Sequence, residues 1–286
     1  MSKEQKNKML KFLKMNAVEN DFIIFDARIK EVSLSALQIQ KLSNRKNIGC
    51  DQLVIIKNST RAECFIEIYN QDGSRSAVCG NATRCVAAII MEEKNLPKIT
   101  IDTAAGLLKC WRTSSGESVK NAEQDLILGN LTSENNISVE MNIPVFEKNF
   151  SFNGKDFFCV NMGNPHAINF ANHLPQDDDF FSTSPAIENH EFFPNRTNVE
   201  FAKIASDKII EVRVWERGAG ETMACGSGAC AVAAAAIKNN LIKSNKVITR
   251  FKGGDLQIEW HGSNSPIIMT GGYSTIFSGT IDEKFL

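Results

Sequence analysis

Two cysteines occupy equivalent places in the two halves of this 286-residue chain. Cys79 is followed by Gly80 and Asn81; Cys225, 146 residues later, is followed by Gly226 and Ser227. In both halves an alternating, strand-like stretch and a glycine-containing turn lead into the Cys-Gly pair. An apolar run with the character of a buried helix follows, Val86 to Met91 in one half and Ala229 to Ile237 in the other. The first N–H groups of a helix lack partners within it and carry partial positive charge, a setting that favours a thiolate. The adjoining glycine leaves room for a ligand carboxylate to reach the same N–H groups. One helix-start Cys-Gly is equally well read as a capping accident, and it is the recurrence that favours a function. Two thiols on opposite sides of one carbon would remove a proton from one face and return one to the other, inverting a stereocentre. A single nucleophilic cysteine would instead need a helper such as His166, in Gly163-Asn164-Pro165-His166, and the second cysteine would have no task.

The elements that must position these thiols also recur. Asn20 to Phe25 (NDFIIF) stands opposite Asn164 to Phe170 (NPHAINF), and Cys50 to Leu53 is set against Thr197 to Glu200, the weakest match, at an offset of 147. Residues 65–88 align without a gap on 211–234, bringing Tyr69 to Trp215, and 104–111 parallels 252–260. Two tandem copies of one fold follow, expected as domains 1–140 and 141–286, with the boundary near Ile137 to Pro144 and the last strand free to return to the first domain. The copies are expected to meet face to face across a ligand cleft. Alanine dominates the second helix (Ala229, Ala231, Ala233, Ala234, Ala235, Ala236), so backbone can approach it on several sides, which suits a sheet wrapped around it. Asn95 and Pro97 end the first helix; Asn239 and Asn240 end the second. The remaining segments are short, β-branched or aromatic, and read mostly as strands.

Composition narrows the function. A hydrophobic fraction of 43% excludes dominant disorder, and a net charge of −1 leaves no basic surplus for a nucleic-acid backbone. The longest apolar runs are about half of the roughly 20 residues a spanning helix needs, so no membrane partner is expected. The lysines Lys3, Lys6, Lys8, Lys11 and Lys14 precede no apolar leader, and a cytoplasmic protein is the expectation. The eight cysteines contain no Cys-x-x-Cys and the four histidines lie far from any cysteine pair, so neither a disulfide framework nor a metal module is read. Cys85 and Cys230 lie inside their helices, and Cys50, Cys64, Cys110 and Cys159 in strand-like surroundings; all six are taken as core.

The motifs resemble those of the diaminopimelate epimerases. Asn20-Asp21-Phe22, Asp51-Gln52, Tyr69-Asn70 with Asp72-Gly73-Ser74, and Cys79-Gly80-Asn81 with Arg84-Cys85 match in the first half. Met162 to His166, Asn198, Glu216 to Thr222 and Ala224 to Gly228 match in the second. The chain departs from that pattern at Ala17-Val18-Glu19, where glycines are usual, and at Ala82-Thr83.

The resemblance implies an α+β fold of two pseudo-symmetric domains from an internal duplication, each a mixed, barrel-like sheet around a central buried helix. It implies Cys79 and Cys225 as the two bases, acting on LL-2,6-diaminopimelate to give the meso form, in lysine and peptidoglycan-precursor biosynthesis, with no cofactor and no metal. Gly80, Asn81, Gly226 and Ser227 would offer N–H donors to the substrate α-carboxylate. Arg217 and Glu216 would meet the distal carboxylate and ammonium, and Asn20, Gln52, Asn70, Asn164 and Asn198 would complete the neutral hydrogen bonds. Taken alone, Glu216-Arg217 is by a wide margin more often a solvated pair at a strand end and each Asn more often a turn residue, and the motif context overrides this; His166 is equally part of the site or a satisfied structural histidine. Two alternatives stay open: a proline or hydroxyproline racemase or phenazine-type isomerase of the same fold, against which Arg217 and the paired thiols argue, and a noncatalytic thiol-redox or metal-binding protein. Dimerisation is left open.

Overall fold

The computed structural model describes residues 9–113 and 135–286, so Lys3, Lys6 and Lys8 lie outside the described residues. The chain divides into two compact units, one running to Trp111 and taking in Tyr273–Leu286, the other spanning Arg112–Gly272. Both are built on one plan.

In the first unit, β1 (Met9–Ala17) pairs antiparallel with β2 (Asn20–Asp26), and α1 (Ala36–Ser43) crosses over to β3 (Gln52–Lys57), which lies parallel to β2. A parallel neighbour cannot be reached through a tight turn, so a crossover helix is required. Ser35 and Gln38 start it with a reciprocal capping box, a signal that the expectation of mostly strands passed over. β4 (Cys64–Asn70) runs antiparallel to β3, and the short β5 (Arg75–Ser76) leads into α2 (Gly80–Lys94). β6 (Lys98–Thr103) returns parallel to β4 and turns into β7 (Gly106–Arg112). The last strand of the chain, Ser274–Asp282, pairs with β1.

Both faces of this sheet are covered. Side chains alternate along a strand, and Leu53 and Ile55 of β3 join Phe12, Ile23, Phe25, Ile39 and Leu42 in one core cluster, whereas Val54 and Ile56 are buried outside it. That two-sided burial is why β3 reads as a continuous apolar run rather than an alternating one.

The second unit repeats the order. β8 (Asn136–Glu140), β9 (Val145–Phe146) and β10 (Phe150–Phe152) precede β11 (Lys155–Asn161), which pairs antiparallel with β12 (Pro165–Phe170). The crossover α3 (Asp177–Glu188) leads to β13 (Asn198–Ser206), parallel to β12; β14 (Ile209–Glu216) and β15 (Gly220–Glu221) lead into α4 (Gly226–Lys238). β16 (Lys246–Phe251), β17 (Gly254–Glu259) and β18 (Ile268–Gly272) complete the sheet. Pair for pair, β1–β7 correspond to β11–β17. β8, assigned by the sequence reading to the first copy, hydrogen-bonds to β18 and so falls in the second unit.

The register corrects one alignment by a residue. Leu53 opposes Tyr69 and Val199 opposes Trp215, so Gln52 corresponds to Asn198 and the offset there is 146, not 147. α4 packs against β11, β12, β13, β14, β16 and β17, with every alanine from Ala229 to Ala236 fully buried. Among the described residues no helix is long and apolar enough to cross a membrane.

The departure at Ala17-Val18-Glu19 has a structural consequence. Ala17 pairs with Asn20, leaving a two-residue hairpin loop in which Val18 and Glu19 take φ of 56° and 58°. That left-handed region is costly for L-residues and worst for a β-branched one, which is why such loops favour Asn-Gly. Replacing Val18-Glu19 by Asn-Gly is expected to stabilise the fold by about 1–2 kcal/mol, read as a higher denaturant midpoint. An unchanged or lower midpoint contradicts the assigned strain.

Candidate active site

Each of the two repeated Cys-Gly steps is a helix N-cap made by sulfur. Cys79 and Cys225 have extended backbones, and their Sγ atoms accept from the third N–H of the helix, Ala82 at 3.5 Å and Gly228 at 3.4 Å. The ladder begins with Thr83 and Ala229 donating to the Cys79 and Cys225 carbonyls. The N–H groups of Gly80 and Asn81, and of Gly226 and Ser227, therefore stand outside the helical ladder at its positive end, as an anion site requires.

In the first unit, strands β2, β3 and β4 bring the predicted residues to the start of α2. Asn20 places Oδ1 4.0 Å from the Cys79 sulfur and donates through Nδ2 to Asp51 at 3.3 Å. Gln52 donates to Asn70 Oδ1 at 3.0 Å, and Asn70 donates to Ser74 Oγ at 3.0 Å. Gln52 Oε1 and Asn81 Oδ1 are buried with no hydrogen-bond partner among the described residues. Asp51, quoted only as part of a motif, fixes Asn20 and the Asp21 N–H (3.0 Å), and Arg45 bridges Asp51 and Asp21. Burial pushes the Asp21 carboxyl up, but hydrogen bonds from Arg45 and Lys14 prevail and hold it below the usual carboxylate range. Asp51 is raised, by burial and then by its negative neighbour Asp21.

In the second unit, Asn164, His166, Glu216 and Ser227 gather at Cys225. Ser227 Oγ lies 3.5 Å from the Cys225 sulfur and accepts from Asn164 Nδ2 at 3.2 Å. His166 Nε2 is 3.1 Å from Asn164 Oδ1, and Nδ1 is 2.6 Å from Glu200 Oε1. Glu216 accepts from Thr222 Oγ1 at 2.5 Å. Burial raises the Glu216 carboxyl, with the Glu200 charge adding to it.

The helix end does not prevail at Cys225. Burial pushes its thiol well above the ordinary value, Glu216 and Glu200 push further, and the bonds from Ser227 and the Gly228 N–H offset only part. At Cys225 burial thus outweighs the helix start, and the thiol lies above its ordinary value.

Glu216 closes β14, while Arg217, the first residue of the turn that follows, is exposed and donates its Nη1 to the Asn195 carbonyl at 2.9 Å. Asn198 accepts from the Arg217 N–H at 3.0 Å and donates to the Pro165 carbonyl at 2.8 Å. Glu188, which no sequence pattern marked, accepts from the Gly218 N–H at 2.8 Å and Trp215 Nε1 at 2.7 Å and so braces the Arg217 loop. Glu200 also went unmarked; its one signal is a carboxylate inside the apolar run Val199-Glu200-Phe201-Ala202, all buried. Cys50, Cys64, Cys85, Cys110, Cys159 and Cys230 are buried, as expected of core thiols. Among the described residues no group of three or more His, Cys, Asp or Glu is placed to hold a metal ion.

The fold of this chain is shared by solved structures of distant proteins. A PhzF-family phenazine biosynthesis protein of Bacillus anthracis superposes with a TM-score of 0.68 at 15% identity, covering 96% of this chain and 99% of that one. A hydroxyproline epimerase of Agrobacterium vitis, solved with bound trans-4-hydroxy-L-proline, gives 0.67 at 14% identity, covering 96% and 93%. At that identity the likeness is one of fold.

Sequence similarity is more specific: the chain belongs to the diaminopimelate epimerase family, whose profile matches residues 12–125 and 158–276. Diaminopimelate epimerases of Leptospira biflexa and Methanococcus maripaludis are 39% and 37% identical to it, each over 96% of this chain and 99% or more of their own length. That of Rhodospirillum centenum is 36% identical, covering 96% of this chain and 94% of its own.

Proposed function

We propose that this chain interconverts LL- and meso-2,6-diaminopimelate by inverting one α-carbon, with Cys79 and Cys225 as the acid–base pair and no pyridoxal phosphate. The observation that carries the reading is the duplicated sulfur N-cap, set in a chain of this family. Because Cys225 is held as a thiol, it enters the cycle as the proton donor and Cys79 as the acceptor, and the roles exchange in the reverse direction. As the α-proton leaves, charge builds on the carboxylate, where the N–H groups of Gly80, Asn81, Gly226 and Ser227 supply preoriented donors.

Arg217 is assigned to the distal carboxylate, where a planar guanidinium makes two parallel hydrogen bonds. Arg217→Lys replaces that fork by a point charge and is expected to raise KM about tenfold or more with a smaller change in kcat. An unchanged KM removes Arg217 from the site. The chain is assigned to the cytoplasm.

Substrate choice is tested by offering purified protein LL-diaminopimelate and L-proline in deuterium oxide and following the α-hydrogen by mass spectrometry. Deuterium is expected in diaminopimelate alone. Exchange into proline instead would move the chain to the racemase reading.

A further inference from the structure

The two copies of the fold diverge at the hairpin loop that follows β14 and at its counterpart after β4. Residues 217–219 link Glu216 to its partner Gly220, and Arg217 stands where the first copy has Gln71, 146 residues earlier. The crossover helices differ as well: α1 ends in Ser43 and α3 in Glu188. A carboxylate on the last residue of a helix meets the negative end of its dipole, and Glu188 is buried besides, with 6% of its side chain exposed. The second copy thus keeps a doubly disfavoured residue that the first does without.

Three N–H donors offset that cost. Glu188 Oε1 accepts from the Gly218 N–H at 2.8 Å and from Arg196 Nη1 at 3.1 Å, and Oε2 accepts from Trp215 Nε1 at 2.7 Å. Gly218 is the middle residue of the hairpin loop, with φ of 78°. Trp215 precedes the loop on β14, and Arg196 lies in the segment between α3 and β13. One carboxylate therefore ties the loop to the segments on either side of it. Tyr69, at the position of Trp215, instead donates its hydroxyl to Glu67 of its own strand at 2.9 Å.

Arg217 is anchored to the same segment as Arg196. Its backbone N–H donates to Asn198 Oδ1 at 3.0 Å and its Nη1 to the Asn195 carbonyl at 2.9 Å. With Nη1 so held, the Nε–Nη2 edge of the guanidinium has no hydrogen bond among the described residues. That edge carries two parallel N–H groups, the fork that fits a carboxylate.

We propose that Glu188 is a positioning residue for Arg217: by tying Gly218, Trp215 and Arg196 together, it aims the open guanidinium edge at the distal carboxylate of the substrate. The inference rests on the assignment of Arg217 to that carboxylate. It accounts for the asymmetry of the duplication. The inverted carbon is served by like parts, Cys79-Gly80 and Cys225-Gly226, whereas the distal end needs one anchor, and Arg217, Glu188 and Trp215 replace Gln71, Ser43 and Tyr69 in one copy alone. Holding a long side chain ready lowers the ordering cost of binding, so affinity rather than proton transfer depends on Glu188.

A double-mutant cycle on the full chain, with LL-diaminopimelate as the probe, tests this. Glu188→Gln keeps the shape but turns an NH2 toward a donor, and it is expected to raise KM about tenfold with a smaller change in kcat. Beside Arg217→Lys, where no fork remains to be aimed, the same substitution is expected to change KM by no more than about twofold. Effects that multiply in the double variant would make Glu188 a general support of the fold and overturn the assignment, as would a normal KM in Glu188→Gln alone. Should Glu188→Gln not fold, Trp215→Phe carries the same cycle, since it keeps an aromatic ring against Phe180 and removes the indole N–H. A rise in KM of about threefold that vanishes beside Arg217→Lys is then expected, and a rise in both backgrounds or in neither contradicts the proposal. An Arg217→Lys enzyme with unchanged KM would sink the reading of Arg217 itself. A raised KM there, beside a normal Glu188→Gln enzyme, removes only the role of Glu188.

Discussion

Cys225→Ser epimerises diaminopimelate at least about 10²-fold more slowly than the parent chain, the lower bound for losing a positioned proton-transfer group, yet folds normally. Serine is the informative replacement because Cys225 has two duties, capping the Gly228 N–H and exchanging a proton. A serine oxygen is a preferred N-cap acceptor, so the first duty survives. Its hydroxyl is a far weaker acid than a thiol, so the second is lost. Cys79→Ser is expected to behave in the same way, since its sulfur caps Ala82 identically. Circular dichroism and thermal unfolding check the fold, and chromatographic separation of the LL and meso isomers checks the rate. A serine variant with ordinary turnover would leave these cysteines as caps and nothing more.

Stability falls steeply as pH rises above about 8.5, the ordinary thiol value. Burial raises the thiols of Cys50, Cys64, Cys85, Cys110, Cys159 and Cys225, with Cys64, Cys85 and Cys159 each pushed up to about 12. In the unfolded chain these groups lose their protons near 8.5; in the fold they keep them. Over that window the folded state binds more protons, so each thiol removes up to about 1.4 kcal/mol of stability per pH unit. Their contribution is intact below the unfolded value and is lost as pH climbs toward the folded one. Thermal unfolding at pH values on either side of about 8.5, under reductant, is expected to show a falling midpoint, flattened in part by replacing Cys110 with Val. A midpoint independent of pH would place these thiols in polar surroundings.

What could be read in the sequence followed from repetition and from covalent order. Cys79-Gly80 and Cys225-Gly226 announced themselves because the same pair, preceded by a strand pattern and followed by an apolar run, recurs at one offset, and a helix start is a local event. The alanines of α4 declared a helix enclosed by backbone. Glu200 and Glu188 could not be read in this way, since a single carboxylate within a strand and one at a helix end carry no repeated pattern, and only the fold buries them. Crossover helix α1 was announced by Ser35 and Gln38, but a capping box weighs little beside strand-rich surroundings. The place of β8 was not legible locally, because it is set by β18, a partner some 130 residues away.

The central claim is that two different sulfurs handle the proton on the two faces of one carbon. It is tested most directly by letting the enzyme turn over protiated LL-diaminopimelate in deuterium oxide and analysing both isomers at early conversion. The meso product is expected to carry deuterium at its inverted carbon while the unreacted LL isomer keeps its hydrogen. Product that retains the original hydrogen would mean a single base carrying the proton across, and the paired-cysteine account would fail.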